Sequence, residues 1–147
     1  MPVTHSLLRG GISVVDYRCA AGPDDRSYPE LFECHSISYV RAGSFGCRTR
    51  GRSYELVAGS LLIGHPGDEF ICTHDHHPCG DECLSFQFSP EIAETIGDAT
   101  TVWRRAAIAP RAEMMVLGEL AQATAEGRGS LGLDEVGLTL AMRFRQL

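Results

Sequence analysis

Twelve consecutive residues, CTHDHHPCGDEC at 72–83, hold three cysteines, three histidines and three acids. Thiolate and imidazole both suit Zn²⁺ and other borderline-soft transition metals, which favour tetrahedral sites. Side chains alternate along an extended strand, so Phe70, Cys72, His74 and His76 share one face. Cys79 and Cys83 can close a site from across the loop, which makes Cys72, His74, His76, Cys79 and Cys83 the candidate metal ligands. Two other chemistries fit the same letters. Cys72, Cys79 or Cys83 would act as a redox switch if its thiol were exposed and of lowered pKa. Asp75, Pro78, Gly80 and Asp81 also make an ordinary polar turn, in which histidines need no special role.

Other constellations are weaker. His35, Ser36 and Ser38 lie close together but without the strand–turn–helix elbow of a nucleophilic serine. No G-x-x-x-x-G-K-[ST] or G-x-G-x-x-G loop for phosphate occurs. The cysteines do not form the two CxxC pairs of a zinc ribbon, and Cys19, Cys34 and Cys47 read as small buried hydrophobes. No catalytic residue is assigned.

The elements that position these residues fall into two unlike halves. Up to about Phe88, short runs rich in Val, Ile, Tyr and Phe are separated by Gly, Pro and Asp clusters, which predicts strands. Residues 11–17 and CHSISYVR (34–41) are two of them, with AAGPDDRSYPE a loop between. SFGCRTR and SYELV flank Gly51, which suits a hairpin tip of positive φ. SLLIG, EFICTH and ECLSFQF follow, and the alternation of the last points Leu84, Phe86 and Phe88 into the core. Seven or more such strands predict a small antiparallel barrel or sandwich.

The second half is helical. Ser89-Pro90-Glu91 opens a short helix that stops at Gly97, and Pro110 opens a longer one that ends at Gly127. In a third helix from about Leu133, residues Leu133, Val136, Leu140, Phe144 and Leu147 form one apolar seam. The chain ends inside that seam at RFRQL without a capping signal, as a truncated sequence would.

Bulk properties narrow the partners. The chain has 147 residues, a net charge of −6, and 13 basic residues that are all Arg. Such an acidic surface repels phosphate backbones, which argues against nucleic-acid binding by these residues alone. No apolar run approaches the ~20 residues of a membrane span. The start, MPVTHSLLRGG, lacks a secretion signal, so a cytoplasmic location is expected.

Taken together, CHSISYVRAGSFGCRTRGRSYELVAGSLLIGHPGDEF, DECLSFQFSPE and the trailing helices resemble the N-terminal effector-binding domain of AraC-type transcription regulators. Tyr39 to Gly43 resembles the strand and glycine turn that open the family's cupin barrel, and residues 54–63 resemble its L-x-x-G-x-L-x-x-I pattern. The likeness runs from about Glu30 to Leu147. It implies a mainly β fold with C-terminal α: a cupin-like, jelly-roll-type antiparallel barrel over residues 1–88 and a dimerising helical segment over 89–147, both in one structural domain. The helix-turn-helix domain that follows in the family is absent from these residues.

The resemblance implies a small-molecule effector in the barrel, with Tyr39, Phe70, Cys72, His74 and Phe86 as pocket residues assigned from alternation. It also implies a homodimer through Leu133, Val136, Leu140 and Phe144, and DNA contact only through the missing domain. The alternative is a metal-dependent cupin enzyme using His74, His76 and Glu82, with His35 completing the set. Its Gly67–His74–His76–Glu82 spacing only approximates the metal-cupin motif, so no cofactor is assigned beyond a candidate zinc or other transition metal.

Overall fold

The computed structural model describes residues 2–147 and, among them, nine strands and three helices. In chain order these are β1 (Val3–Leu8), β2 (Ile12–Cys19), β3 (Pro29–Leu31), β4 (His35–Thr49), β5 (Arg52–Val57), β6 (Leu61–Gly64), β7 (Glu69–Thr73), β8 (Asp81–Phe88), α1 (Pro90–Ile96), β9 (Ala107–Ile108), α2 (Ala112–Ala125) and α3 (Leu133–Phe144). β1 lies in MPVTHSLLRGG, where the sequence carries no strong strand signal, and β3 forms at the end of the expected loop.

The long strand β4 organises the molecule. Residues 35–43 run beside β8 and, in part, β6, whereas residues 44–49 run between β5 and β7. One antiparallel sheet therefore has the order β1-β2-β8-β4-β6-β9, and β3, β7 and β5 join the far half of β4 in a second. β4 changes sheets at a bulge between Val40 and Ala42, followed by Gly43 at φ 75°. A Cβ on Gly43 would stand 2.0 Å from the Gly80 carbonyl oxygen, so only glycine lets the two backbones pass there. The β4–β5 hairpin turns on Arg50 and Gly51, both of positive φ, as its tip requires.

Leu84, Phe86 and Phe88 are buried as their alternation predicts, but the core they enter lies between the first sheet and the helices. Ile12, Val14, Ile37, Tyr39, Leu61 and Ile63 share that face. Over them lie Trp103, Met114 of α2, and Val136, Leu140 and Phe144 of α3. Burying each of these larger side chains contributes about 1.5–3 kcal/mol. The Trp103 indole N–H donates to the Ala93 carbonyl at 3.1 Å, so the ring enters the core with its polar atom satisfied.

Two expectations are corrected here. The α3 seam is spent within the chain: Val136 and Leu140 are fully buried, Phe144 stands 5.5 Å from Trp103, and Leu133 packs on the same core. These side chains are thus not presented to a partner copy. Tyr39 and Phe86 face the helices and not the inside of the barrel. A Cβ at Gly118 would lie 2.3 Å from the Tyr39 ring, and one at Gly137 would lie 2.7 Å from the Phe86 ring. Glycine lets α2 and α3 press that close, and the Tyr39 hydroxyl donates to Glu119 at 3.1 Å.

Candidate functional site

The opposite face of the first sheet and the inner side of the second border an open cavity of about 990 Å³. That is at the upper end of the range for small-molecule sites. Its walls are the alternate phase of the strands whose other phase feeds the helix core. β2 supplies Val15 and Tyr17, β4 supplies Ser36 and Ser38, and β8 supplies Cys83, Ser85 and Gln87. Phe70, Cys72 and His74 line it from β7 and its end, as alternation predicts. Phe32 stacks on Phe70 with centroids 4.1 Å apart and planes 19° apart.

The floor is polar and internally bonded. Ser38 Oγ donates to Ser85 Oγ at 2.9 Å, and the Gln87 amide donates to the Tyr17 hydroxyl at 3.4 Å. Burial raises the pKa of Tyr17 against the pull of that bond. Glu30 and Asp81 stand in the wall, where burial raises both carboxyls, Asp81 to about 6 with nearby His77 opposing the rise. Burial lowers the pKa of His74, and His77 lowers it further. His74 Nδ1 and Asp81 Oδ2 are buried with no hydrogen-bond partner in the protein. An unpaired buried polar atom costs about 1–3 kcal/mol, and two residues of the cavity wall each carry one.

The metal candidates are not brought together. Cys72, His74 and Cys83 line the cavity, but His76 and Cys79 are exposed on the following loop. Among the described residues no three His, Cys, Asp or Glu side chains gather where an ion could be held. The enzyme alternative fares no better in geometry. Glu82 pairs with Arg18 at 3.1 Å, and His35 lies on the helix side, 4.8 Å from Trp103. The donor set does not fit a resident metal.

Several cavity residues escaped the sequence reading. Ser36, Ser38, Tyr17, Ser85 and Gln87 were legible as the other phase of each strand, whereas Glu30 carried no motif and Asp81 read only as part of a polar turn. Cys47, read as a solitary buried thiol, stands directly opposite Cys72 in the β4–β7 register. The neighbouring thiols shift each other: Cys72 lowers the pKa of Cys47, while Cys47 and burial push that of Cys72 up.

No protein-family model matches the chain, and no curated protein matches it in sequence. Solved structures do match in shape. A Cupin 2 conserved barrel domain protein from Salinispora arenicola aligns at 11% identity and TM-score 0.51, over 64% of this chain and 81% of that one. A protein of unknown function from Rhizobium leguminosarum aligns at 19% identity and TM-score 0.51, over 59% and 80%. Apo-HppE aligns at 11% identity and TM-score 0.52, over 59% and 49%. At these identities the likeness carries the fold alone, and with the two sheets joined through β4 it makes the chain a cupin-like antiparallel barrel with a helical cover.

Proposed function

We propose that this cupin-like domain senses a small molecule for an AraC-type transcription regulator, with the effector bound between the two sheets. The observation that carries the reading is a cavity of about 990 Å³ between the sheets, with polar side chains from β2, β4 and β8 on one side and His74 and Asp81 in its wall. The order of the strand motifs and the trailing helices supply the family part of the reading. DNA contact would belong to a helix-turn-helix domain outside these residues.

The cavity chemistry narrows the effector. Asp25, Glu30, Glu33 and Asp81 line it against Arg9 and Arg26 alone among basic side chains with permanent charge. That balance disfavours an anion. Phe45, Leu62 and Phe70 add apolar wall, Leu62 directly beside Ser38 of the serine floor. The fitting ligand is an uncharged or cationic organic molecule that donates hydrogen bonds and has one apolar side. Its effect on regulation would equal its differential affinity for two arrangements of the protein.

Dimerisation belongs to the same proposal but to a different surface. Met115, Val116, Leu138 and Met142 are the apolar side chains that α2 and α3 leave exposed.

A thermal-shift screen of uncharged and cationic small organics tests the reading, with Asp81→Asn and His74→Ala beside the wild type. The expected result is a compound that raises the wild-type Tm and fails to raise that of either variant. A compound that stabilises all three equally binds elsewhere and overturns the assignment of the cavity.

A further inference from the structure

We propose that Cys47 and Cys72 form a reversible dithiol–disulfide site, oxidised by a low-molecular-weight disulfide that enters through the barrel cavity. The pair is held by the fold: Cys47 of β4 and Cys72 of β7 are directly opposed across an antiparallel ladder. Opposed residues in such a ladder have Cα atoms about 4.5–5.5 Å apart, inside the ~4.4–6.8 Å range that a disulfide spans. Opposed residues of a ladder project to the same face of the sheet, so the two thiol side chains are neighbours.

Access is asymmetric. Cys47 is fully buried, whereas Cys72 is partly exposed and lines the cavity. A small disulfide therefore meets Cys72 first. Cys72 passes its proton to the neighbouring Cys47 thiolate and attacks one reagent sulfur, the reagent S–S bond breaks, and the small thiolate that leaves takes that proton from Cys47 and departs as a thiol. Cys47, as thiolate, then attacks Cys72 Sγ and expels the second small thiol. The protein gives up two electrons and two protons, and the reagent is reduced to two thiols. The mixed disulfide forms at the reachable sulfur and is resolved by the buried one.

The remaining cysteines lack this arrangement. Cys79 is exposed on the loop after β7. Cys19 is opposed to Asp81 and Cys83 to Tyr17 and Val40, so no thiol faces either of them in register. Closing the bond would fasten β7 to β4, the strands that support Phe70, Cys72 and His74, and would tie cavity shape to thiol state. The inference needs only that the cavity admits a small molecule, and it stands or falls apart from the regulator reading.

The test treats the full chain, purified reduced, with 2-hydroxyethyl disulfide. Free thiols are then trapped with N-ethylmaleimide and the peptides mapped by mass spectrometry. Expected is a cross-linked peptide pair joining Cys47 to Cys72, absent after dithiothreitol, with the exposed Cys79 as a control for reagent activity. In Cys47→Ala a mixed disulfide should accumulate on Cys72, for want of the resolving thiol. The wild-type map decides the matter even if that variant does not fold. Cys79 modified while Cys47 and Cys72 both remain free for alkylation would overturn the proposal, as would Cys72 linked to any other cysteine.

Discussion

Ser44 Oγ lies 2.7 Å from His77 Nδ1, and His77 Nε2 lies 2.6 Å from Glu55 Oε2. With the proton on Nε2, the ring donates to the carboxylate and accepts from the serine hydroxyl. The three residues come from β4, β5 and the loop after β7, so one imidazole ties that loop to the hairpin. A turn from the His77 N–H to the His74 carbonyl, at 3.1 Å, tightens the same loop.

His77→Ala removes both side-chain bonds and should cost about 1–2 kcal/mol of stability. Glu55→Gln should cost less, because Glu55 is 67% exposed and its pairing is screened. Urea melts would give the difference, and hydrogen exchange should speed up in residues 74–80. Equal midpoints for His77→Ala and wild type would mean that the loop is held by its own turns alone.

The one tryptophan, Trp103, stands 4.8 Å from His35, whose ring is 4.7 Å from His65. Burial, then repulsion from His65, lowers the pKa of His35 below its usual 6.5, and its Nε2 is buried without a partner. A depressed histidine contributes stability that is present above the unfolded pKa and is lost as pH falls through the folded one. Charging His35 should also quench the neighbouring indole. Tryptophan emission should therefore fall in a step below pH 6.5, and His35→Gln should abolish the step. A step that survives in His35→Gln would assign it to another group.

Asp81 titrates in the opposite sense. Its folded pKa of about 6 lies above the ordinary 3.8, so the folded state takes up the proton first. The neutral acid favours folding, and this contribution is complete below pH 3.8 and is lost as pH rises through 6. A shift of this size in a fully buried group would be worth about 3 kcal/mol, and partial solvation reduces it to on the order of 1 kcal/mol. Asp81→Asn should remove that component, so the stability difference between wild type and variant should change between pH 4 and pH 7 in favour of the variant at the higher pH. A difference independent of pH would show that the carboxyl is solvated. An effector that donates to Asp81 should lower its pKa and steepen the pH dependence of binding.

Period-two alternation made the strands of this chain legible, and it split β8 correctly into Leu84-Phe86-Phe88 and Cys83-Ser85-Gln87. Alternation carries no sign for which face looks into a barrel. The apolar phase of β8 went to the helices because Gly118 and Gly137 let them close over Tyr39 and Phe86, an approach that depends on which strand each helix crosses. The cavity took the phase with the small polar residues. Phe70, Cys72 and His74 line the cavity because β7 belongs to the second sheet, where the helices do not reach. The Cys47–Cys72 pairing was beyond reach for a different reason. It depends on the register of strands separated by β5 and β6, which the bulge near Ala42 helps to set.

The α3 seam separates folding from association in one experiment. Leu140 is fully buried between the helices and the first sheet. Leu140→Asp would put an unpaired charge there and should cost about 3–5 kcal/mol or more, unfolding much of the protein without yielding a folded monomer. Val116 is 68% exposed on α2 and Leu138 is 44% exposed on α3. Aspartate at either should change stability by no more than about 0.5 kcal/mol. If copies associate through the outer side of the helix pair, the Val116→Asp, Leu138→Asp protein should keep the wild-type Tm and run as a monomer in light scattering where the wild type runs as a dimer. An unchanged mass in that double variant would remove this face from the dimer. A folded monomer from Leu140→Asp would contradict the packing of α3 on the sheet.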